Sequence, residues 1–173
     1  MGFIEIDPHE FDERIVDLLG REWGLAMAGT SPEHCNAMTI GWGQIGMFWG
    51  KPASTVFIRS SRFTKEFFDT CDTFSVAFLP PELHDKHRVF GTMSGRDVDK
   101  TELTGLTPIM VDGTPFYGES ALVFICRKAY VDTVDHGNFV DTAAYRRYYE
   151  RGTDHDDWHT MYIAYVEKIL RKE

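Results

Sequence analysis

The sequence predicts a mainly β domain with short connecting helices. Three observations carry this: a succession of short strand-like runs from Trp23 onward, a tight-turn signal at Asp112-Gly113, and a long β-branched and aromatic run from Ala121 to Val131. At 173 residues the chain fits one domain that buries about two thirds of its unfolded surface. It has no internal repeat, no low-complexity segment and no linker richer in Gly or Pro than ordinary turns.

In chain order, Asp7, Pro8 and Glu10 read as N-cap, first-turn proline and capping-box acid of an amphipathic helix, with Phe11, Ile15, Leu18 and Leu19 on one face. Strand candidates follow at Trp23 to Ala28, Met38 to Trp49, Ser54 to Arg59, and Thr73 to Leu79, where Phe74, Val76 and Phe78 alternate. Thr64 caps a brief helix through Phe67 and Phe68, and Pro80-Pro81 opens another through Leu83, His87 and Phe90. Pro108 to Val111 and Pro115 to Tyr117 flank Asp112-Gly113 as a hairpin. Asp141 caps a helix through Tyr145 and Tyr149. Met161 to Leu170 fits strand or helix: Met161, Ile163 and Tyr165 alternate, but Tyr162, Val166 and Ile169 also share a helical face.

The formal charge is -9, from 18 Lys+Arg against 27 Asp+Glu, so the overall field repels nucleic acid and anionic membrane. Basic clusters are therefore local exceptions. Cys35, Cys71 and Cys126 are odd in number and contain no C-x-x-C pair, which argues against a disulfide framework and a zinc knuckle and suits a reducing cytoplasm. The early Glu5 and Asp7, and the absence of an apolar run near the ~18 residues of a membrane span, indicate neither secretion nor insertion.

Gly41-Trp42-Gly43-Gln44-Ile45-Gly46 matches G-x-G-x-x-G, but a dinucleotide turn needs its last glycine to open a helix. Gly50 and Pro52 block one here. The glycines read instead as permitting strand bending and close backbone approach to a ligand or partner, with Trp42 and Trp49 as core candidates.

Three polar clusters stand out: Asn36 to Trp42 (N-A-M-T-I-G-W), Arg59 to Thr64 (R-S-S-R-F-T) and Ser94 to Lys100 (S-G-R-D-V-D-K). A phosphate monoester carries about -1.5 to -2 charge near pH 7 and needs convergent donors with a fixed cation. Arg59 and Arg62 bracket Ser60 and Ser61, and Thr64 begins a helix whose first N–H groups point outward, which makes one cradle. Ser94, Gly95 and Arg96 make a second, with Lys100 one turn after Arg96 if a helix starts at Asp97. By charge pattern alone, Arg96, Asp97, Asp99 and Lys100 also suit an ordinary solvated ion-pair cluster. His155 and His159, spaced i, i+4 without an H-E-x-x-H glutamate, read as an exposed polar turn rather than a metal site. Cys35 reads either as a redox thiol or, more simply, as an inert small hydrophobe. His84, Asp85 and His87 read as a solvated helix face.

In order and wording these three clusters resemble the flavin reductase-like FMN-binding split-barrel family, which includes flavoredoxin-like flavoproteins. The similarity runs from about Trp23 to Ile169 and includes L-T-P at Leu106 to Pro108 and D-W-H-x-M-Y-I at Asp157 to Ile163. The resemblance implies a Greek-key split β-barrel, a homodimer, and FMN in a groove near the subunit interface. Asn36, Ala37, Met38, Thr39, Ile40, Gly41 and Trp42 would line the flavin ring. Arg59, Ser61, Arg62, Phe63 and Thr64 would take the phosphate end. Ser94, Gly95, Arg96 and Lys100 would complete the anion site, from the same subunit or the other. Relatives often carry Thr, Val and Ser at Ala37, Ile40 and Gly41, so Gly41 lacks one hydroxyl contact. His159 matches a position near the flavin end, as proton donor or substrate contact. The implied activity is an FMN-dependent oxidoreductase taking hydride from NADH or NADPH and passing electrons to free flavin or another acceptor. The alternatives are a flavoredoxin-like carrier reduced by a redox partner protein and an FMN-binding module without turnover.

Overall fold

The structure of the protein, a computed structural model, describes residues 2–150 and 157–173. Its strands are β1 (Phe3–Ile6), β2 (Gly24–Gly29), β3 (Cys35–Ile40), β4 (Gly43–Phe48), β5 (Lys51–Arg59), β6 (Thr73–Phe78), β7 (Pro108–Val111), β8 (Thr114–Tyr117), β9 (Leu122–Thr133) and β10 (His159–Lys172). Eight of them form one sheet in the order β3-β2-β6-β9-β10-β5-β4, with β1 added on β10, while β7 and β8 make a separate hairpin. All pairings are antiparallel. The short helices are α1 (Ile15–Asp17, continuing as a π-helical turn Leu18–Glu22), α2 (Thr64–Thr70), α3 (His87–Thr92, after a 3-10 turn Pro81–Lys86), α4 (Lys100–Thr104) and α5 (Thr142–Tyr148). Among the described residues no helix is long and apolar enough to cross a membrane.

The C-terminal ambiguity resolves as strand. β10 lies between β9 and β5, and its register against β9 shifts between Ile163 and Ala164 and again between Val166 and Lys168. Such irregularities change which face successive side chains meet, which is why strict alternation in this run blurs into a helix-like pattern. Tyr162, fully buried, donates its hydroxyl to Asp69 at 2.5 Å and packs edge-on against Phe68. Phe68, Phe74, Phe78 and Phe124 join it in the core; full burial of an aromatic or aliphatic side chain stabilises by about 1.5–3 kcal/mol.

The helix expected from Asp7 is corrected. The Asp7 carbonyl and carboxylate accept from the N–H groups of Glu10 and His9, making a turn, and the helix begins only at Ile15. The competing demand is β1, whose four residues pair with Leu170 and its neighbours on β10, so the chain must turn where Pro8 stands. Leu18 and Leu19 are buried as expected, and Phe11 and Ile15 pack against the same cluster.

The single run expected over Met38 to Trp49 is two strands, β3 and β4, broken at Gly41-Trp42. The glycine-rich stretch indeed carries no helix. A Cβ on Gly43 would sit 2.8 Å from the Thr55 carbonyl oxygen, so the close approach it permits is to β5. Trp42 and Trp49 are not core residues: they are 47% and 55% exposed. Trp49 occupies a left-handed conformation at φ 49°, which places it with Gly50 in the tight turn between β4 and β5.

The Asp112-Gly113 turn, with φ 49° and 75°, and the Asp141 cap of α5 match expectation. The helix expected from Asp97 starts instead at Lys100, because the N–H groups of Asp97 and Val98 both bond the Ser94 carbonyl while the Asp99 side chain caps Glu102 N–H. Arg96 and Lys100 therefore share no helix. His87 is buried at 1% exposure, correcting its placement on a solvated face. Its carbonyl accepts from the Thr39 hydroxyl at 2.8 Å, which docks α3 on β3.

Candidate functional site

The three polar clusters converge. β3 runs into the Gly41-Trp42 break, the end of β5 turns through Ser60–Phe63 into α2, and the Ser94–Asp99 loop between α3 and α4 meets both, with Gly95 close to Asn36 and Phe63 and Arg96 on the Ser61 carbonyl. Two cavities result. One of about 210 Å³, called the apolar cavity after Met38, Ile40, Trp42 and Phe57, is also lined by Thr39, Gly41, Arg59, Arg62 and His159. A polar one of about 130 Å³ is lined by residues that include Ser61, Arg62, Phe63, Thr64, Ser94, Gly95 and Lys100, together with Met38 and Phe90. Met38 and Arg62 line both.

The polar cavity has the donor set of an anion site. Asn36 donates its amide N–H to Thr64 Oγ1 at 2.6 Å, and Arg96 N–H donates to Ser94 Oγ at 3.2 Å. Each hydroxyl thus has a donor on its oxygen and its own hydrogen left to give. Lys100, 6% exposed, donates Nζ to the Ala37 carbonyl at 2.9 Å and more weakly to the Phe90 carbonyl at 3.5 Å. Among the described residues no carboxylate forms an ion pair with it. Burial, then the like charge of Arg62, lowers its pKa to about 8. A buried ammonium held only by carbonyls favours an added anion, since an unpaired charge away from water is costly. Arg62 makes one long contact, Nη1 to the Gly91 carbonyl at 3.5 Å, which leaves its guanidinium available.

Gly95 is required by close approach. A Cβ there would lie 2.3 Å from Asn36 Oδ1 and 2.9 Å from the Phe63 ring, so any side chain would break the contact that orients Asn36 toward Thr64.

The two arginines of R-S-S-R-F-T differ. Arg59 donates Nη1 to the Asp157 carbonyl and Nη2 to the Tyr148 carbonyl, both at 2.8 Å, with Asp157 Oδ2 at 3.6 Å and its guanidinium over the Tyr149 ring. Asp157 also accepts from Ser61 N–H at 2.8 Å and Ser60 Oγ at 3.1 Å, and these bonds hold its carboxyl below the usual range against the opposing effect of burial. Arg59 therefore braces the connection between β9 and β10. It lines the apolar cavity but does not converge on the polar one. The outward-pointing N–H groups expected here are also largely committed: Ser61 N–H to Asp157, Arg62 N–H to Arg59, and Lys65 and Glu66 N–H to Arg62 and Phe63.

Arg96 likewise does not line the polar cavity. It pairs with Glu66, bonds the Ser61 carbonyl at 3.3 Å and stacks over Phe63, facing a third cavity of about 560 Å³. Asn36 and Cys35 border that third cavity too, and it shares Phe63, Gly95 and Lys100 with the polar one. Ala37 contributes its carbonyl to Lys100 rather than a surface. Burial, reinforced by Glu33 and Asp99, raises the Cys35 thiol to about 11, which leaves it a protonated thiol at neutral pH and not a ready nucleophile.

At the apolar end His159 is buried, not in an exposed turn; its companion His155 lies outside the described residues. His159 Nδ1 is 2.7 Å from the Tyr149 hydroxyl, and Trp42 packs on its ring at 5.3 Å. Burial, and then Arg59, lowers its pKa to about 4, so the ring is neutral at pH 7 and is no imidazolium acid there. Sequence reasoning missed Phe57, Phe90 and Met93 as lining residues and Tyr148 and Tyr149 as neighbours of Trp42 and His159. Tyr149 was visible only as an aromatic on the capped helix face, with nothing local to mark its partner.

Comparison with known proteins places the fold. The flavoredoxin of Methanosarcina acetivorans is 20% identical, with 88% of this chain and 69% of that one covered at a TM-score of 0.65. The FMN-binding protein of Thermus thermophilus with bound p-hydroxybenzaldehyde is 20% identical over 87% and 71%, with a TM-score of 0.64. An NADH:FAD oxidoreductase of Streptomyces globisporus is 14% identical over 87% and 75%, at 0.61. At such identities these similarities establish the fold. No curated protein matches the chain. The match that reaches further covers residues 24–173, every strand of the large sheet except β1, and by it the chain belongs to the flavin reductase like domain family.

Proposed function

We propose that the protein is an FMN-binding flavoprotein acting as an NAD(P)H-dependent flavin oxidoreductase. The observation that carries this reading is that the two cavities adjoin at Met38 and Arg62, which line both, one furnished for a phosphate and the other for a flat ring. When bound, the flavin supplies hydride acceptance from NADH or NADPH and electron delivery to free flavin or another acceptor. The chain's own residues bind and orient. Thr64, Ser94, Arg62 and Lys100 hold the phosphate, and charge-assisted bonds of about 1.5–3 kcal/mol each make that end the main source of affinity. Met38, Ile40, Trp42 and Phe57 exclude water from the ring, and the neutral His159 offers it a polar edge.

The quaternary reading is a homodimer with the sheet closed as a Greek-key split barrel. Its support is the apolar surface at the β4–β5 turn, where Met47, Phe48 and Trp49 are exposed beside Tyr130. Analytical ultracentrifugation tests it, and a monomer at micromolar concentration overturns it.

Titration with FMN and with riboflavin tests the site: FMN binding at least about tenfold tighter is expected from one lost charge-assisted contact set, and equal affinity removes the polar cavity from the phosphate. Anaerobic mixing of the loaded protein with NADH and then NADPH tests the reaction, with rapid bleaching of the flavin band expected. The structural likeness to flavoredoxins supports a second reading, an electron carrier without a dinucleotide site; the colour then persists until a redox partner protein reduces it.

A further inference from the structure

Tyr149 follows α5 directly, in the connection that Arg59 ties down, and is not among the residues lining either cavity. Its hydroxyl nevertheless reaches His159 Nδ1 at 2.7 Å. Its ring is stacked on Trp158 at 5.2 Å and 17°, and meets His159 edge-on at 5.6 Å. His159 also packs against Trp42, and its backbone carbonyl accepts from Val134 N–H. Both rings are held in place by packing as well as by the hydrogen bond between them.

We propose that Tyr149 is a positioning residue that holds His159 as the neutral tautomer protonated at Nε2, giving the apolar cavity an uncharged hydrogen-bond donor for a carbonyl oxygen of a planar heterocycle. The inference rests on the flavin reading above for the identity of that heterocycle. It rests on this structure alone for the tautomer.

The argument is one of donors and acceptors. A phenol is a strong donor and a poor acceptor, whereas a neutral imidazole offers one of each, so the favourable pairing has the Tyr149 O–H donating to an unprotonated Nδ1. The proton of the ring then resides on Nε2, which has no hydrogen-bond partner among the described residues. Nδ1 faces Tyr149, which does not line the cavity, while His159 does; the cavity-facing edge is accordingly assigned to Nε2. The charged groups that face the ring are Arg59, Arg62 and Asp157. The two cations oppose an imidazolium and Asp157 favours it, but Asp157 is already engaged by Ser60, Ser61 and Arg59. An uncharged donor is what this surrounding permits. It differs from an acid: it recognises a carbonyl without giving up a proton.

Two-bond proton–nitrogen correlation spectra of the ligand-free protein, with His159 assigned by its absence in His159→Gln, read the tautomer directly. At pH 7 the wild type should show a protonated Nε2 and an unprotonated Nδ1, and Tyr149→Phe should show a mixture of tautomers. A wild-type ring protonated at Nδ1, an imidazolium at pH 7, or a Tyr149→Phe spectrum identical to the parent would each overturn the proposal. In FMN titrations, His159→Gln, whose amide N–H₂ lies near the Nε2 position, should keep affinity within about threefold, while His159→Leu should lose about 3- to 10-fold, the range of one neutral hydrogen bond. Parental affinity in His159→Leu sinks the donor role. Should the wild type bind no flavin at all, the proposed function fails while the tautomer result still decides the role of Tyr149. Tyr149→Phe keeps the ring packing, and an unchanged circular dichroism spectrum separates positioning from misfolding.

Discussion

At one end of the groove Lys100 is buried as a cation against the carbonyls of Ala37 and Phe90; at the other His159 is buried as a neutral ring against Tyr149. Both have lowered pKa values, and in both burial is the leading cause. The consequences diverge because their ordinary values differ. Lowered to about 8, Lys100 keeps its charge at pH 7, whereas His159, lowered to about 4, cannot gain one. The same desolvation thus leaves a buried cation in one place and an uncharged ring in the other. The Arg59 and Arg62 pair repeats the lesson: one guanidinium is committed to Tyr148 and Asp157, and the other is loosely tied at the junction of the two cavities.

Acid should act on the two buried neutral rings first, with the largest effect. His87 and His159 both fall from an ordinary 6.5 to about 4. The unfolded chain therefore binds more protons across that window, and stability is lost as pH falls from about 6.5 toward 4, by about 3 kcal/mol for each ring at about 1.4 kcal/mol per pH unit. Urea melts at intervals between pH 7 and 4 measure the slope. His87→Met should remove roughly half of it, and an unchanged slope would show that His87 is not buried neutral.

Next in size is the contrast between the arginines. Arg59→Ala should cost about 2 kcal/mol, allowing for its partial exposure, and lower the melting temperature by about 4–8 °C. Arg62→Ala should leave the melting temperature within about 2 °C while weakening FMN about 10- to 100-fold, the worth of one charge-assisted contact. Reversal of the two phenotypes would sink the division of labour read from their contacts.

The smallest effect sharpens the cationic end. A phosphate ester loses its second proton near pH 6 and Lys100 loses its own near about 8, so FMN affinity should be greatest between those values and fall as pH rises through about 8. In the ligand-free protein the sign is opposite. The unfolded chain keeps the lysine proton to the ordinary 10.5 while the folded chain releases it near about 8, so its contribution to stability rises with pH across that interval. Lys100→Met should flatten the affinity profile, and isothermal titration in buffers of differing ionisation enthalpy measures the proton taken up.

Much of the fold was legible locally. Alternation at Phe74, Val76 and Phe78 marks β6, Asp112-Gly113 marks its hairpin, and Asp141 marks the start of α5. The errors have a common cause in long-range pairing. β1 takes the residues before Pro8 into the sheet, and the register shifts in β10 disguise a strand as a helical face. At the site, motif wording drew attention to three segments that the fold brings together but could not distinguish Arg59 from Arg62, or Arg96 from Lys100.

The sequence by itself determined β6, the Asp112-Gly113 hairpin and the cap of α5, because side-chain period and turn chemistry act over a few residues. It also supplied the hydroxyls and cations of the groove. Only the tertiary structure decided which of those groups are free to meet a ligand. Asp157 and Tyr148 lie 98 and 89 residues beyond Arg59 yet occupy its guanidinium, Glu66 takes Arg96, and the carbonyls of Ala37 and Phe90 leave Lys100 charged and without a carboxylate partner among the described residues. A charge is available or spent according to what folding brings within hydrogen-bond reach, and that is set by chain crossings rather than by sequence neighbours.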